Sequence, residues 1–250
     1  MRNVENFNYI CRMIRFGYIV KMALTVAFLG VASMICGQEE AEEDGGGKVT
    51  IDVGADLVSS YVWRGMYQTG ASIQPSLSLS AFGFTLGSWA SNDFTALVKE
   101  VDFYLSYEVK GVTIGLFDFW CEPEGTSYFC YKKHLLEANL HYTISEKFPL
   151  SLEVNTMIAG DDDTDDKGKR LYSTYMAASW PFSVKDVDCE ASIGVSPWRG
   201  LYGEKCNVAA ITARASRNLN FSSGYSVPLF VELIFSPVQR NAFLVFGLTF

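Results

Sequence analysis

The last ten residues of this chain, Asn241 to Phe250, read Asn-Ala-Phe-Leu-Val-Phe-Gly-Leu-Thr-Phe. Counting back from Phe250, every second position is apolar: Leu248, Phe246, Leu244, Ala242. Successive side chains of a strand point to opposite faces, so this spacing predicts a strand with one unbroken apolar face. A strand that alternates as far as a terminal aromatic, with no polar tail, is what a transmembrane β-barrel needs to close on its first strand without a free edge. The pattern must then recur along the chain.

It does recur. From Lys48 to Ser60, Val49, Ile51, Val53, Ala55 and Leu57 alternate with Thr50, Asp52, Gly54, Asp56 and Val58. Eleven further strands are expected over 72–81, 83–91, 100–109, 112–120, 134–144, 150–159, 171–180, 184–196, 206–218, 228–235 and 241–250. Most are close to the length of about 9–11 residues that a tilted strand needs to cross a bilayer. The 13 Tyr, 18 Phe, 5 Trp and 21 Gly suit strands and turns rather than helices. With 49% hydrophobic and 19% charged residues, a disordered chain is excluded. The fold class expected is therefore all-β: an antiparallel up-and-down transmembrane barrel of 12 strands.

The connections alternate in length as such a barrel requires, with short inner turns and longer outer loops. Inner turns are expected near Phe82, Lys110, Ser145 to Pro149, Pro181 to Ser183 and Asn220 to Val227. Outer loops are expected at 61–71, 92–99, 121–133, 160–170, 197–205 and 236–240. The Asn220 turn is long and the 236–240 loop short for this scheme. Trp63, Trp89, Trp120 and Trp198 fall at outer strand ends and Trp180 at an inner one, the pattern of interfacial aromatic belts.

Ahead of the barrel, Arg12, Arg15 and Lys21 precede an apolar run from Met22 to Ile35, then Cys36-Gly37 and acidic residues. Residues 1–37 are read as a secretory signal peptide, 38–47 as an acidic, Gly-rich, disordered leader, and 48–250 as the barrel. Removing 1–37 takes away Arg2, Arg12, Arg15, Lys21 and Glu5, leaving 16 basic against 27 acidic residues, a formal charge of −11. That balance argues against a nucleic-acid partner. In an exported protein disulfides are permitted, and Cys121 and Cys130, nine apart in one loop, are the candidate pair; Cys189 and Cys206 fall at different heights of one hairpin.

The polar face of each strand becomes the lumen wall. It carries Asp52, Asp56, Asp102, Glu108, Glu137, Glu153, Asp186, Asp188, Glu190 and Glu232 against one clear basic residue, Arg214. An open lumen so lined favours cations; a closed one leaves the acids to satisfy one another. The outer mouth is expected to hold Trp63, Arg64 and Arg199. In the loop Asp161-Asp162-Asp163-Thr164-Asp165-Asp166, the carboxylates of Asp161, Asp163 and Asp165 form a weak candidate for a hard cation, without the glycine and final glutamate of an EF-hand. Of the two histidines, His134 and His141, the latter faces inward beside Glu137 and Asn139, yet no Gly-x-Ser-x-Gly elbow or metal-spaced pair accompanies it. No catalytic residue and no cofactor are expected.

At the first hairpin, Ser60-Tyr61-Val62-Trp63-Arg64-Gly65-Met66 and Gln74-Pro75-Ser76 resemble the start of the TorF-type porin family of Gram-negative outer-membrane proteins. The likeness runs on through Gly87-Ser88-Trp89-Ala90-Ser91-Asn92, Glu100-Val101-Asp102-Phe103-Tyr104 and Asp118-Phe119-Trp120. The resemblance implies an outer-membrane β-barrel of channel function, with no catalytic residue or substrate to carry over. The partners expected of such a barrel are membrane lipid, lipopolysaccharide, the barrel-assembly machinery and small solutes or cations. Arg64-Gly65 would then sit at the rim, with Arg64 folded over acids such as Asp56 or Asp102. The alternatives are a non-conducting outer-membrane barrel serving as an enzyme or a binding and assembly protein, and a soluble secreted β-sandwich.

Overall fold

A strand with one apolar and one polar face leaves both edges of its sheet unpaired until the sheet closes on itself. The computed structural model shows that closure. It describes residues 49–95, 99–121, 127–130, 133–221, 224 and 226–250, so the expected signal peptide and leader lie outside the described residues. The chain divides into two units, Met1–Gly46 and Gly47–Phe250, and the second is the barrel.

In chain order the strands are β1 (Thr50–Val58), β2 (Tyr61–Trp63), β3 (Met66–Thr69), β4 (Ser72–Ala81), β5 (Phe84–Asp93), β6 (Lys99–Val109) and β7 (Val112–Phe119). Then follow β8 (Leu135–Ser145), β9 (Phe148–Ala159), β10 (Thr174–Val184), β11 (Val187–Ser196), β12 (Asn207–Asn220), β13 (Ser226–Ser236) and β14 (Asn241–Thr249). All but β2 and β3 form one closed barrel, in which β4 to β14 pair in succession and β1 joins β4 to β14. The pairing is antiparallel throughout and the barrel has 12 staves, as the alternation implied.

The register puts like with like. Asp52, Gly54 and Asp56 face Ser78, Ser76 and Gln74 of β4 on the inner surface, while Ile51, Val53 and Leu57 face Leu79, Leu77 and Ile73 outside. In β14 the outward set is Ala242, Leu244, Phe246 and Leu248, with Leu244 62% and Phe246 57% exposed. The seam is short: β1 meets β14 at Asp56↔Thr249, Leu57↔Leu248 and Val58↔Gly247. Backbone bonds flank it, with Ala55 and Phe250 exchanging N–H···O contacts of 3.1 and 2.9 Å and Ser59 N donating to Phe246 O at 2.9 Å.

At the end where β1 begins, two-residue turns join the staves. Phe82-Gly83 (φ 55° and 84°) and Lys110-Gly111 (φ 52° and 78°) are left-handed at both positions, the geometry that matches strand twist, with glycine supplying the second position without strain. The turn between β8 and β9 falls within the expected Ser145 to Pro149, with Ser145 pairing to Phe148, but the one between β10 and β11 differs from expectation. Pro181 to Ser183 belongs to β10, and the chain reverses at Lys185-Asp186. Pro181 is tolerated because the ladder to β9 has already stopped at Ser179↔Ser151, so a missing N–H costs no ladder bond on that side. In consequence Asp186 lies in the turn, exposed and ion-paired with Arg217, rather than on the lumen wall.

The opposite end holds the larger corrections. Segment 61–71, expected as an outer loop, contains the β2–β3 hairpin with Trp63↔Met66 flanking an Arg64-Gly65 tip. In the acidic loop a single 3-10 turn, Asp161–Asp163, carries Asp163 into the interior, where it accepts from Ser173 N at 3.2 Å and Ser173 Oγ at 2.5 Å. Asp165 accepts from the backbone N–H groups of Lys169 and Lys167, both at 2.9 Å, and those bonds hold it below the ordinary carboxylate range. Asp161 keeps its side chain at the surface. The carboxylates of Asp163 and Asp165 thus organise their own loop, and no metal-binding group of three His, Cys, Asp or Glu is found among the described residues.

Cys121 and Cys130 are free thiols, as are Cys189 and Cys206. The Cys121–Cys130 pair does not form because Cys121 bridges to Glu100 of β6, while Cys130 closes a separate turn with Ser127. Nor do the tryptophans form one belt. Trp180 projects outward and packs on Phe148, and Trp198 is exposed, but Trp63 and Trp89 turn inward and Trp120 is 7% exposed beneath Tyr128.

Candidate functional site: a roofed acidic lumen

Inward side chains follow a gradient along the barrel. Near the end where β1 begins, Asp52, Glu108, Asp188 and Glu190 are open to water; near the other end Glu100, Asp102, Glu137, Asn155 and Tyr175 are buried. The wall itself is built of small residues: Ser76, Ser78, Ser151, Ala177, Ser179, Ser192, Gly194 and Ala210 leave the lumen unfilled.

The barrel register brings the expected acids together. Asp52, Asp56, Asp102, Glu108, Glu137, Glu153, Asp188, Glu190 and Glu232 all lie on inward positions, and Arg214 sits between Glu190 and Glu232 on neighbouring strands. Arg214 approaches Glu232 at 3.7 Å and rests over the Phe230 ring at 3.8 Å. Three other acids are tied to the wall: Thr249 Oγ1 donates to Asp56 at 2.6 Å, Trp120 N to Asp102 at 3.3 Å and Ser183 Oγ to Asp188 at 3.0 Å. Of the expected mouth residues, Arg199 is at the rim, pairing with Glu204 at 3.1 Å, whereas Trp63 and Arg64 are inside.

Arg64 is the centre of the closed end. Its partner is Glu137, not Asp56 or Asp102: Nη1 donates to Oε2 at 2.5 Å and Nη2 to Oε1 at 2.9 Å, a bidentate fork. Nη1 also donates to Tyr202 Oη at 2.5 Å. The Glu137 side chain is fully buried and Arg64 is 13% exposed. Asn139 Nδ2 in turn donates to Glu137 Oε1 at 2.8 Å and to Asn155 Oδ1 at 2.7 Å, fixing the carboxylate from below. Burial alone would lower the Arg64 pKa, but Tyr202 and Glu137 outweigh it and raise it further.

Aromatic rings surround this pair. The guanidinium lies 4.6 Å from the Trp63 ring, 4.8 Å from Tyr175 and 5.7 Å from Tyr202. From there a row of ring contacts crosses the lumen: Tyr202 to Trp63 at 5.8 Å, Trp63 to Phe119 at 5.5 Å, Phe119 to Phe117 at 5.9 Å and Phe117 to Tyr104 at 4.9 Å. The hairpin tip is pressed against the far wall, since a Cβ on Gly65 would stand 2.5 Å from Ala209 O and 3.2 Å from Ala210 Cβ. Val62 joins the cluster of Val58, Phe230, Ile234 and Val245 on the other side.

Beneath this roof lies a cavity of about 350 Å³, bounded above by Arg64 and Gly65 and below by His141, Glu153, Glu190, Glu232 and Thr212. Carboxylates and hydroxyls in a shared space attract cations and hydrogen-bonding solutes. A Ser-His pair on the wall is not assembled, because Ser151 Oγ bonds Thr143 Oγ1 at 3.0 Å and the residue opposite His141 is Glu153. The sequence pattern did not reveal the Arg64–Glu137 contact, which joins residues 73 apart. An Arg-Gly step between Val62-Trp63 and Met66-Tyr67 was its one local signal, as a two-residue hairpin turn.

A family model described as a bacterial protein of unknown function (Gcw_chp) matches residues 40–199. No curated protein matches the chain. Among solved structures, a chain from work on the mechanism behind the in-meso crystallization of membrane proteins is similar at 8% identity and a TM-score of 0.43, over 82% of each chain.

Proposed function

Since the chain belongs to the Gcw_chp family of bacterial proteins of unknown function, we propose its role from the barrel's own chemistry: a narrow outer-membrane channel that favours cations. The observation that carries this reading is the lumen, a hollow lined by Glu153, Glu190 and Glu232, in which Arg214 pairs with Glu232 and Arg64 above is already paired with Glu137. An outer face of exposed Leu, Ile, Val and Phe suits lipid, and a tilted 12-stranded barrel suits a bacterial outer membrane, reached through a cleaved signal peptide and the barrel-assembly machinery. The resemblance of the Ser60 to Met66 segment to TorF-type porins points the same way. Lipid and lipopolysaccharide would then be its surroundings, and small solutes or cations its cargo, with no catalysis and no cofactor involved.

The test is the reversal potential of the refolded barrel in a planar bilayer under a salt gradient. Cation preference is expected, reduced by at least half in the double variant E153Q/E190Q. Anion preference, or no effect of that variant, would remove the acidic lumen from the reading.

A second reading has one specific observation behind it, the hairpin across the lumen. If a correctly folded barrel never conducts, under any voltage or variant, the protein is a closed cup that binds or processes small molecules at its accessible end.

A further inference from the structure

We infer that the β2–β3 hairpin is the gate of this barrel, and that the buried Arg64–Glu137 pair is its latch; the inference rests on the channel reading above. Three independent features of the hairpin converge on it.

The first is attachment. Val58 at the end of β1 pairs with Ser72 at the start of β4, so the two staves are already joined where the hairpin leaves the wall. The hairpin is an insertion that the barrel does not need for closure. It can swing about its two ends without breaking any ladder bond of the barrel.

The second is the tip. Arg64 (φ 50°) and Gly65 (φ 80°) make a left-handed two-residue turn, in which asparagine, aspartate or glycine would ordinarily hold the first position. The backbone is that of the ordinary Lys110-Gly111 turn at the other end; what sets this tip apart is that its cation turns into the lumen and is buried. It brings the guanidinium onto Glu137 of β8, a carboxylate already held by Asn139.

The third is what the closed state covers. Arg64 and Gly65 form the ceiling of the 350 Å³ cavity, whose other walls reach the water-exposed acids at the accessible end. Between that cavity and the far end of the barrel stand Arg64, Trp63 and the aromatic row. Released, the same hairpin uncovers a passage walled by Glu137, Asn139, Asn155 and Tyr175. The buried pair fastens the hairpin in this position, because removing one partner leaves an uncompensated charge whereas removing both does not.

The experiment compares planar-bilayer currents of the refolded barrel with those of R64M, E137Q, the double variant R64M/E137L, and a barrel in which residues 60–70 are replaced by a short Gly-Ser turn, leaving Ser59 and Ala71 on the wall. Folding of each is checked by heat-modifiable migration. Wild type is expected to be mostly closed, with brief openings. Each single variant is expected to raise open probability at least tenfold, the double variant to return most of the way to wild type, and the hairpin-less barrel to stay open. Folded single variants with wild-type gating, or a hairpin-less barrel with wild-type currents, overturn the latch. If wild type conducts steadily and no variant changes it, the gate fails while the channel stands. If even the hairpin-less barrel is silent, the channel reading fails and takes the gate with it.

Discussion

His134 shows how a residue outside the staves can be read from its partners alone. Its Nδ1 lies 2.8 Å from Asp118 Oδ1 and its Nε2 2.6 Å from the Tyr128 carbonyl. Burial alone would lower its pKa, but the Asp118 hydrogen bond, the Tyr128 carbonyl and the Asp118 charge together raise it above the ordinary imidazole value. A folded-state pKa above the unfolded one means the contribution is fully present below about pH 6.5 and fades as pH rises through the higher folded value. Trp120 lies 6.4 Å from the His134 ring and reports its charge. Its fluorescence is expected to titrate with a midpoint above about 6.5, and H134Q to abolish that step; a midpoint at or below that value would refute the pairing. The acids on the lumen wall were legible because parity along a strand decides the face a side chain takes. Asp186 was misplaced since parity has no meaning inside a turn. Glu137 was placed on the right face, but its partner was not legible, because an ion pair across a barrel leaves no spacing in the chain.

At the scale of the element, the period-two pattern located all twelve staves, most of them to within about two or three residues, where boundaries are always softest. The hairpin escaped because β2 and β3 have three and four residues, too short for an alternating pattern to stand out from a loop. The turn before β11 was expected at Pro181 to Ser183 and falls at Lys185-Asp186, because Pro181 sits where the ladder to β9 has already ended and does not interrupt β10. The glycine turns carry a prediction. Gly83 combines φ 84° with a Cβ site 2.8 Å from Glu108 O, whereas Gly168 has φ 74° and open space around it. Replacing either with alanine costs about 1–2 kcal/mol for the left-handed backbone, and Gly83→Ala adds a clash with the β6 backbone. Urea unfolding of the two variants is expected to rank Gly83→Ala as clearly the less stable. Equal midpoints would mean that the β4–β5 turn relaxes without cost.

For the molecule as a whole, the apolar exterior and the polar interior invert the usual arrangement of a globular protein, in which large apolar side chains go inside. Val53, Leu244 and Phe246 are 77%, 62% and 57% exposed on the outside while Glu137 and Asp163 are fully buried. That inversion suits a chain whose solvent is lipid. Leu244→Arg, near the middle of β14, should therefore cost about 2–4 kcal/mol for folding into a bilayer, measured by urea titration in lipid vesicles. A cost near zero would speak for an aqueous exterior instead.

The shortest row of stitching in this wall is the β1–β14 seam, three pairs against nine between β1 and β4. The same β1 ends at Val58, three residues before the hairpin starts at Tyr61. Hoop and roof therefore share β1, the roof's other end being carried by β4. Whatever loosens the hoop at its seam also frees one of the two ropes that carry the roof, so a weak wall and a loose lid are expected together although each has fastenings of its own.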